Sequence, residues 1–235
     1  MSDISNQLIA EIKTDFNISY INDDEISRLL KLIKDSQTTF HEANQYAVSV
    51  GDLLSKVFLR QISTENLPNG KMYYNIAKKV VEPMLIQNFD LISDFSTETQ
   101  AVLNAQANIG IVGLSPKLNQ DRVDGIVQKL VDYDNFDDAR WMLGEPIINF
   151  SQSIIDDAIR LNAQFHYDSG LRPKIVRTAY PDCCDWCNEV VGTYDYDKVS
   201  DTGNNIFRRH RHCRCEVDYL PGDGKRQNVH TKIWN

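Results

Sequence analysis

The chain has 235 residues, 42% hydrophobic and 25% charged, with a formal net charge of -8 at pH 7. That is an ordinary globular balance, long enough to bury a core in one large domain or in a larger and a smaller one. The acidic balance argues against a general nucleic-acid binder, which needs a positive surface to displace counterions.

The charge is uneven. From Leu171 onward there are 11 Lys/Arg against 9 Asp/Glu, whereas the first 170 residues hold 14 against 24. An acidic body therefore carries a slightly basic tail. No continuous apolar run near the N-terminus resembles a signal peptide, and none approaches the roughly 20 residues that span a bilayer. The sequence predicts no membrane partner and a first residence in a reducing cytosol, where clustered cysteines more often bind metal or do chemistry than form disulfides.

The first 165 or so residues read as helices. Leu8, Ile9 and Ile12 share one face of an N-terminal helix. Asn22 is the expected N-cap of a second, with Asp23, Asp24 and Glu25 in its first turn and Ile26, Leu29, Leu30 and Ile33 at helical spacing. A longer helix is predicted from Thr38 to Ile62, ended by the turn cluster Asn66-Leu67-Pro68-Asn69-Gly70. Helical pattern returns from Lys71 to Ile92, with Pro83 either kinking one helix or starting another. Ser96, with Thr99 and Gln100, is expected to cap a separate helix over Thr97 to Asn108. Gly110, Gly113 and Pro116 mark a loop, and short helices follow at Asp121 to Val131 and Phe136 to Leu143. Pro146 opens a strong helix to Phe165, whose apolar stripe suits core or assembly contacts.

After Tyr167-Asp168-Ser169-Gly170 the texture changes. Lys174 to Ala179 reads as a strand, Val190 to Tyr196 as a turn running into another, Cys215 to Tyr219 as a third, and Pro221-Gly222-Asp223-Gly224 as a tight turn. The fold class expected is α+β: a mostly helical body over 1–170, then a small β-rich Cys/His module over 171–235.

All five cysteines lie between 183 and 215. Cys184-Asp185-Trp186-Cys187 is a C-x-x-C knuckle, and His210-Arg211-His212-Cys213-Arg214-Cys215 supplies H-x-x-C-x-C. Zinc takes four such donors in a tetrahedron, two from a tight turn and two from a distant segment. The preferred quartet is Cys184, Cys187, His210 and Cys213, with Cys215 the substitute for His210. Two other readings stay open: buried cysteines acting as small hydrophobes, and disulfides in an extracellular particle. A redox role fits less well, because Asp182, Asp185 and Glu189 surround the knuckle and would raise its thiol pKa. A zinc-deaminase reading lacks the H-x-E motif.

The run Phe207 to Arg214 is the densest positive patch. Arg208, Arg209, Arg211 and Arg214 are candidates for contact with phosphate or an acidic partner, since guanidinium forks match such groups. They are equally readable as a solvated face or as partners of Asp195, Asp197 and Asp201. A catalytic reading would use His210, His212 and the arginines in a small metal-dependent nuclease or toxin.

The string Cys183-Cys184-Asp185-Trp186-Cys187, then Gly192-Thr193-Tyr194-Asp195-Tyr196, Phe207-Arg208-Arg209-His210, Cys213-Arg214-Cys215 and Pro221 to Val229 resembles the C-terminal module of phage minor head proteins. These are the Mu F-like head morphogenesis proteins, in the form carried by phages and prophages of Gram-positive bacteria. The likeness covers about residues 145–235; the helical first part is similar only in being helical and amphipathic. The resemblance implies a low-copy virion component rather than an enzyme. It would be made in the bacterial host cytoplasm and then sit at the portal vertex or capsid interior. Its expected partners are the portal protein, the major capsid protein, or both, with phage DNA a further candidate. With the chain ending at Asn235, no fused nuclease or toxin domain is expected. A module so small is expected to depend on its crosslink, so that Cys184→Ser or Cys187→Ser unfolds 171–235 and leaves the helical body folded.

Overall fold

A computed structural model describes residues 4–180, 183–201 and 205–222. Asp182 and the second half of the expected 221–224 turn, with the remainder of the motif to Val229, lie outside the described residues. Helix α1 (Ile4–Ile21) buries Leu8, Ile12 and Phe16, four residues apart on one stripe. In α2 (Asp24–Lys34) the cap is Asp23 rather than Asn22: its carboxylate accepts from the Ile26 N–H at 2.8 Å. A charged oxygen suits the positive helix end better than an amide. Asn22 instead donates back to Ile18 O at 2.8 Å.

A capping box formed by Thr39 and Glu42 starts α3 (Phe40–Gln61). Two short 3-10 turns follow, and α4 (Tyr74–Val80) leads to α5 (Glu82–Gln106), with Pro83 in the first turn of α5. Pro83 therefore starts a helix. The break expected at Ser96 is absent, because α5 runs through it. Ser96 Oγ donates to Ser93 O (2.9 Å), Thr99 meets Thr38 (3.2 Å), and Gln100 donates to Asn104 Oδ1 (2.8 Å). These side chains hydrogen-bond within the protein instead of capping a helix start, although Gln100 Oε1 is left without a partner.

Helices α6 (Gln120–Val131) and α7 (Phe136–Ala139) follow, then a 3-10 turn over Arg140–Leu143 and α8 (Glu145–Asp168). The central helix pair is α3 against α8. Gly51 permits their approach: a Cβ there would sit 2.5 Å from Ser151 Oγ and 3.1 Å from Ile148 Cα. Among the described residues, no helix is long and apolar enough to cross a membrane.

The remaining elements are β1 (Lys174–Thr178), α9 (Asp185–Glu189), β2 (Gly192–Asp195) and β3 (Glu216–Leu220). The strands form an antiparallel sheet in the order β2-β1-β3, with Ile175 opposite Tyr194 on one side and Tyr219 on the other. The fold is thus α+β. The sheet packs through β3 onto α3 and α8. Asn44 donates to Val217 O at 3.0 Å, and the Phe40 and Tyr219 rings meet edge-on at 6.3 Å. Ile175, Val217 and Tyr219 belong to the same apolar cluster as Leu8 and Phe58. The change of texture after Gly170 is therefore a change of element type around one continuous core. A three-stranded sheet with one apolar face has to bury that face, and the two central helices supply the surface.

Candidate metal centre

The knuckle is positioned by α9. Cys184 occupies its N-cap in extended conformation, and the Asn188 N–H bonds Cys184 O at 3.1 Å, which brings Cys187 round by one turn. The opposite segment is a tight reversal: the Cys213 N–H bonds His210 O at 3.1 Å, and His212 takes φ 63° at the turn. A left-handed residue there folds Cys213 back towards the knuckle.

These two turns converge. His210 Nε2 lies 3.2 Å from Cys184 Sγ and 2.9 Å from Cys187 Sγ, and Cys187 Sγ lies 3.9 Å from Cys213 Sγ. Two triads result, Cys184–Cys187–His210 and Cys187–Cys213–Cys215, each with its ligand atoms within 4.8 Å of one another. Cys187 is the shared member. A tetrahedral ion with Zn–S bonds of about 2.3 Å separates its sulfurs by roughly 3.8 Å, close to the Cys187–Cys213 spacing. Each triad could hold a metal ion.

The histidine is set in the matching tautomer. Its Nδ1 lies 2.6 Å from Arg211 O and donates to it, which leaves the Nε2 lone pair facing the sulfurs. All five cysteines are free thiols. Cys183 packs against the cluster and donates to Asn188 Oδ1 at 3.2 Å, but it belongs to neither triad, which makes it the spare. Burial, then the neighbouring Cys215 and Cys213, hold the Cys187 thiol well above its ordinary range. The knuckle does stand at a helix start, the placement associated with redox cysteines. That helix has only five residues, and Cys187 is shifted in the direction that disfavours a reactive thiolate. The cause is burial among sulfurs rather than the surrounding acids. For Cys215, burial is outweighed by the Tyr180 backbone, Cys187 and Arg177, which bring its thiol down.

Behind the donors stands Arg177 of β1, 1% exposed. Its Nη2 donates to Cys213 Sγ at 3.6 Å, and its Nη1 donates to Ile206 O and to Arg208 O (3.0 Å for the latter). Its guanidinium also faces Trp186 at 5.5 Å, and Trp186 meets the His210 ring edge-on at 5.6 Å. Sequence reading placed Arg177 in a strand without giving it a role. The available signal was its phase: it shares the inward face with Ile175, so it points a charge into the core.

The second support is a polar stripe on α8. Glu145, Asn149, Gln152 and Asp156 recur at spacings of four, three and four, so they share one helix face. Each holds part of the ligand-bearing segment. Glu145 binds Arg214 at 2.9 Å and Asn149 donates to His210 O at 3.2 Å. Gln152, with its amide oriented to satisfy both groups, donates to Cys213 O (2.8 Å) and accepts from Arg209 (3.2 Å). Asp156 forms a bidentate pair with Arg209. The apolar stripe of this helix was legible in sequence; this second stripe was missed, although its periodicity was present.

The four candidate contact arginines divide accordingly. Arg209 is buried and Arg214 half-buried in ion pairs with α8. Arg208 and Arg211 remain exposed, the latter stacked at 5.0 Å on Trp141. His212, exposed, lies 3.4 Å from Glu145. In comparison with known proteins, no family model matches the chain, and neither a curated protein nor a solved structure matches it.

Proposed function

We propose that the chain is a minor head protein of a phage or prophage, associated with the portal vertex, and that a single structural zinc ion closes its C-terminal region. The head-protein reading is carried by one observation: the ordered series C-x-x-C, Gly-Thr-Tyr and H-x-x-C-R-C in residues 184–215, which resembles the Mu F-like head morphogenesis family. The convergence of the first and last of these on one site supports treating them as a single functional unit.

The zinc reading rests on the donors. Three cysteines and a histidine suit zinc over magnesium or calcium, which take oxygen ligands. Cys184, Cys187, His210 and Cys213 are the ligand set. Three thiolates around a dication leave one negative charge, and buried Arg177 beside Cys213 supplies the counter-charge. Both turns are pinned by backbone bonds, and the His210–Cys213 turn also by α8, so the ion has a structural role here.

Mass spectrometry of purified particles from a host carrying this sequence tests the head-protein reading. The chain is expected in DNA-filled particles at low copy. Its absence from particles, with the chain present in the cytosol, would overturn the reading.

A further inference from the structure

Bordering the metal centre through His210, the 207–211 segment, α6, the 3-10 turn at Arg140–Leu143 and α8 enclose a groove of about 530 Å³. That is the size of a small-molecule site. Five arginines line it, Arg122, Arg160, Arg208, Arg209 and Arg211, with one carboxylate, Asp156. Asp156 is committed to Arg209. Four guanidiniums therefore face the groove with no carboxylate left in its lining, in a chain of net charge -8. Outside the lining, Asp157 lies 4.0 Å from Arg160 and close enough to Arg122 to feel its charge.

Two of these arginines are held by aromatic rings. Arg160 lies 4.6 Å over Phe207, and Arg211 lies 5.0 Å over Trp141. A stacked guanidinium is fixed in plane and presents its N–H edge to an incoming oxygen. Two polar atoms in the wall, Arg160 Nε and Asn149 Oδ1, are buried without a hydrogen-bond partner. Trp141 is 39% exposed at the rim, a flat apolar surface next to the cations.

We infer that this groove binds a nucleotide unit, its phosphate on Arg122, Arg160 and Arg211 and its base against Trp141. Guanidinium forks match phosphate oxygens, and an exposed indole beside them gives a base a stacking face. A carboxylate-rich peptide would use the cations and leave the indole idle. The acidic surface elsewhere restricts binding to this groove, which distinguishes it from general nucleic-acid binding through a positive surface. The unit is either a free nucleotide or one link of a single strand, and the inference does not depend on the head-protein reading.

The test is fluorescence anisotropy of the full chain with a labelled oligothymidylate at low salt. Arg211→Gln and Arg122→Gln change exposed side chains, so their folding is not at issue, and Lys198→Gln serves as a charge control away from the groove. Each groove substitution is expected to weaken binding about tenfold and to lower the salt dependence by about one phosphate contact; Lys198→Gln is expected to leave both unchanged. Trp141→Ala is expected to weaken the oligonucleotide and leave inorganic phosphate binding intact. Competition by thymidine monophosphate at concentrations matching the oligomer per nucleotide assigns a free nucleotide; much weaker competition assigns a strand. No binding at 100 µM-scale protein (about the range of weak non-specific affinity), equal loss in the control variant, or displacement by polyglutamate as effective as by oligonucleotide would each overturn the inference.

Discussion

Arg209 and Asp156 form a bidentate ion pair, Nε to Oδ2 at 2.5 Å and Nη2 to Oδ1 at 2.8 Å, with side chains 5% and 4% exposed. The same guanidinium donates to Cys215 O at 2.7 Å. The pair thus ties the central helix α8 to the segment that carries the metal donors.

Removing one partner strands a buried charge. Asp156→Ala is expected to cost about 3–5 kcal/mol in urea unfolding, whereas Asp156→Leu with Arg209→Leu should cost clearly less. Equal losses in the single and double variants would show that the pair's burial is not what matters.

Arg177 is expected to act as the counter-charge of the metal centre. Arg177→Gln should lower metal affinity by about 10–100-fold, the usual cost of losing an outer-shell partner, read by competition with a chromophoric chelator. Unchanged affinity in a folded variant would remove that role.

The shared core changes what loss of metal should do. Cys187→Ser is expected to speed amide exchange over 183–190 and 206–215, while β1 and β3 keep their protection, because Ile175, Val217 and Tyr219 remain packed on the helices. Full exchange of β1 and β3 would instead mean that the metal holds the sheet itself.

Asp218 provides a pH signature. Burial, then Glu216 and Glu42, push its carboxyl up to about 6. The folded state therefore holds the proton more tightly than the unfolded state does. Stability from this group is greatest below the unfolded pKa and declines as pH rises through about 6. Asp218→Asn removes the effect, so wild type should lose roughly 1–3 kcal/mol relative to the variant between pH 4 and 7. Parallel stability curves for the two proteins would refute it. His41, 2.6 Å from Glu216, adds the same sign: the Glu216 bond raises its pKa, and its contribution fades as pH climbs through the raised value. Buried His166 works oppositely, its pKa lowered by burial, so its contribution is present above its ordinary value and lost on acidification.

Two glycines separate close packing from helix propensity. Gly51→Ala is expected to destabilise by about 1–3 kcal/mol through its clash with Ser151 and Ile148. Gly125→Ala, with nothing within 4 Å of the added methyl, should stabilise α6 by about 0.5–1 kcal/mol. Thermal melts of the two variants should therefore shift in opposite directions.

The helices were legible because Leu8 and Ile12, Ile26 and Leu29, and Ala47 and Val50 fall at helical spacing within their own segments, and the last strand because Val217 and Tyr219 alternate with polar residues. The clustering of cysteine and histidine was legible because these residues at short spacing have few other uses. Local errors arose where one residue type serves two purposes. Ser96, Thr99 and Gln100 carry capping chemistry, yet they hydrogen-bond inside the protein. Asn22 and Asp23 are both good caps, and only charge against the helix end separates them. The partnership between the α8 stripe and the metal-bearing segment was not legible, because it joins residues some 53 positions apart. Periodicity names a face without naming what covers it.

The most direct test of the account is metal content of the purified full chain and its ligand variants. One zinc per chain is expected in wild type and in Cys183→Ser and Cys215→Ser, with loss in Cys187→Ser and in His210→Ala. Wild-type protein free of metal after purification in reducing, chelator-free buffer, or zinc retained in Cys187→Ser, would contradict the metal centre described here.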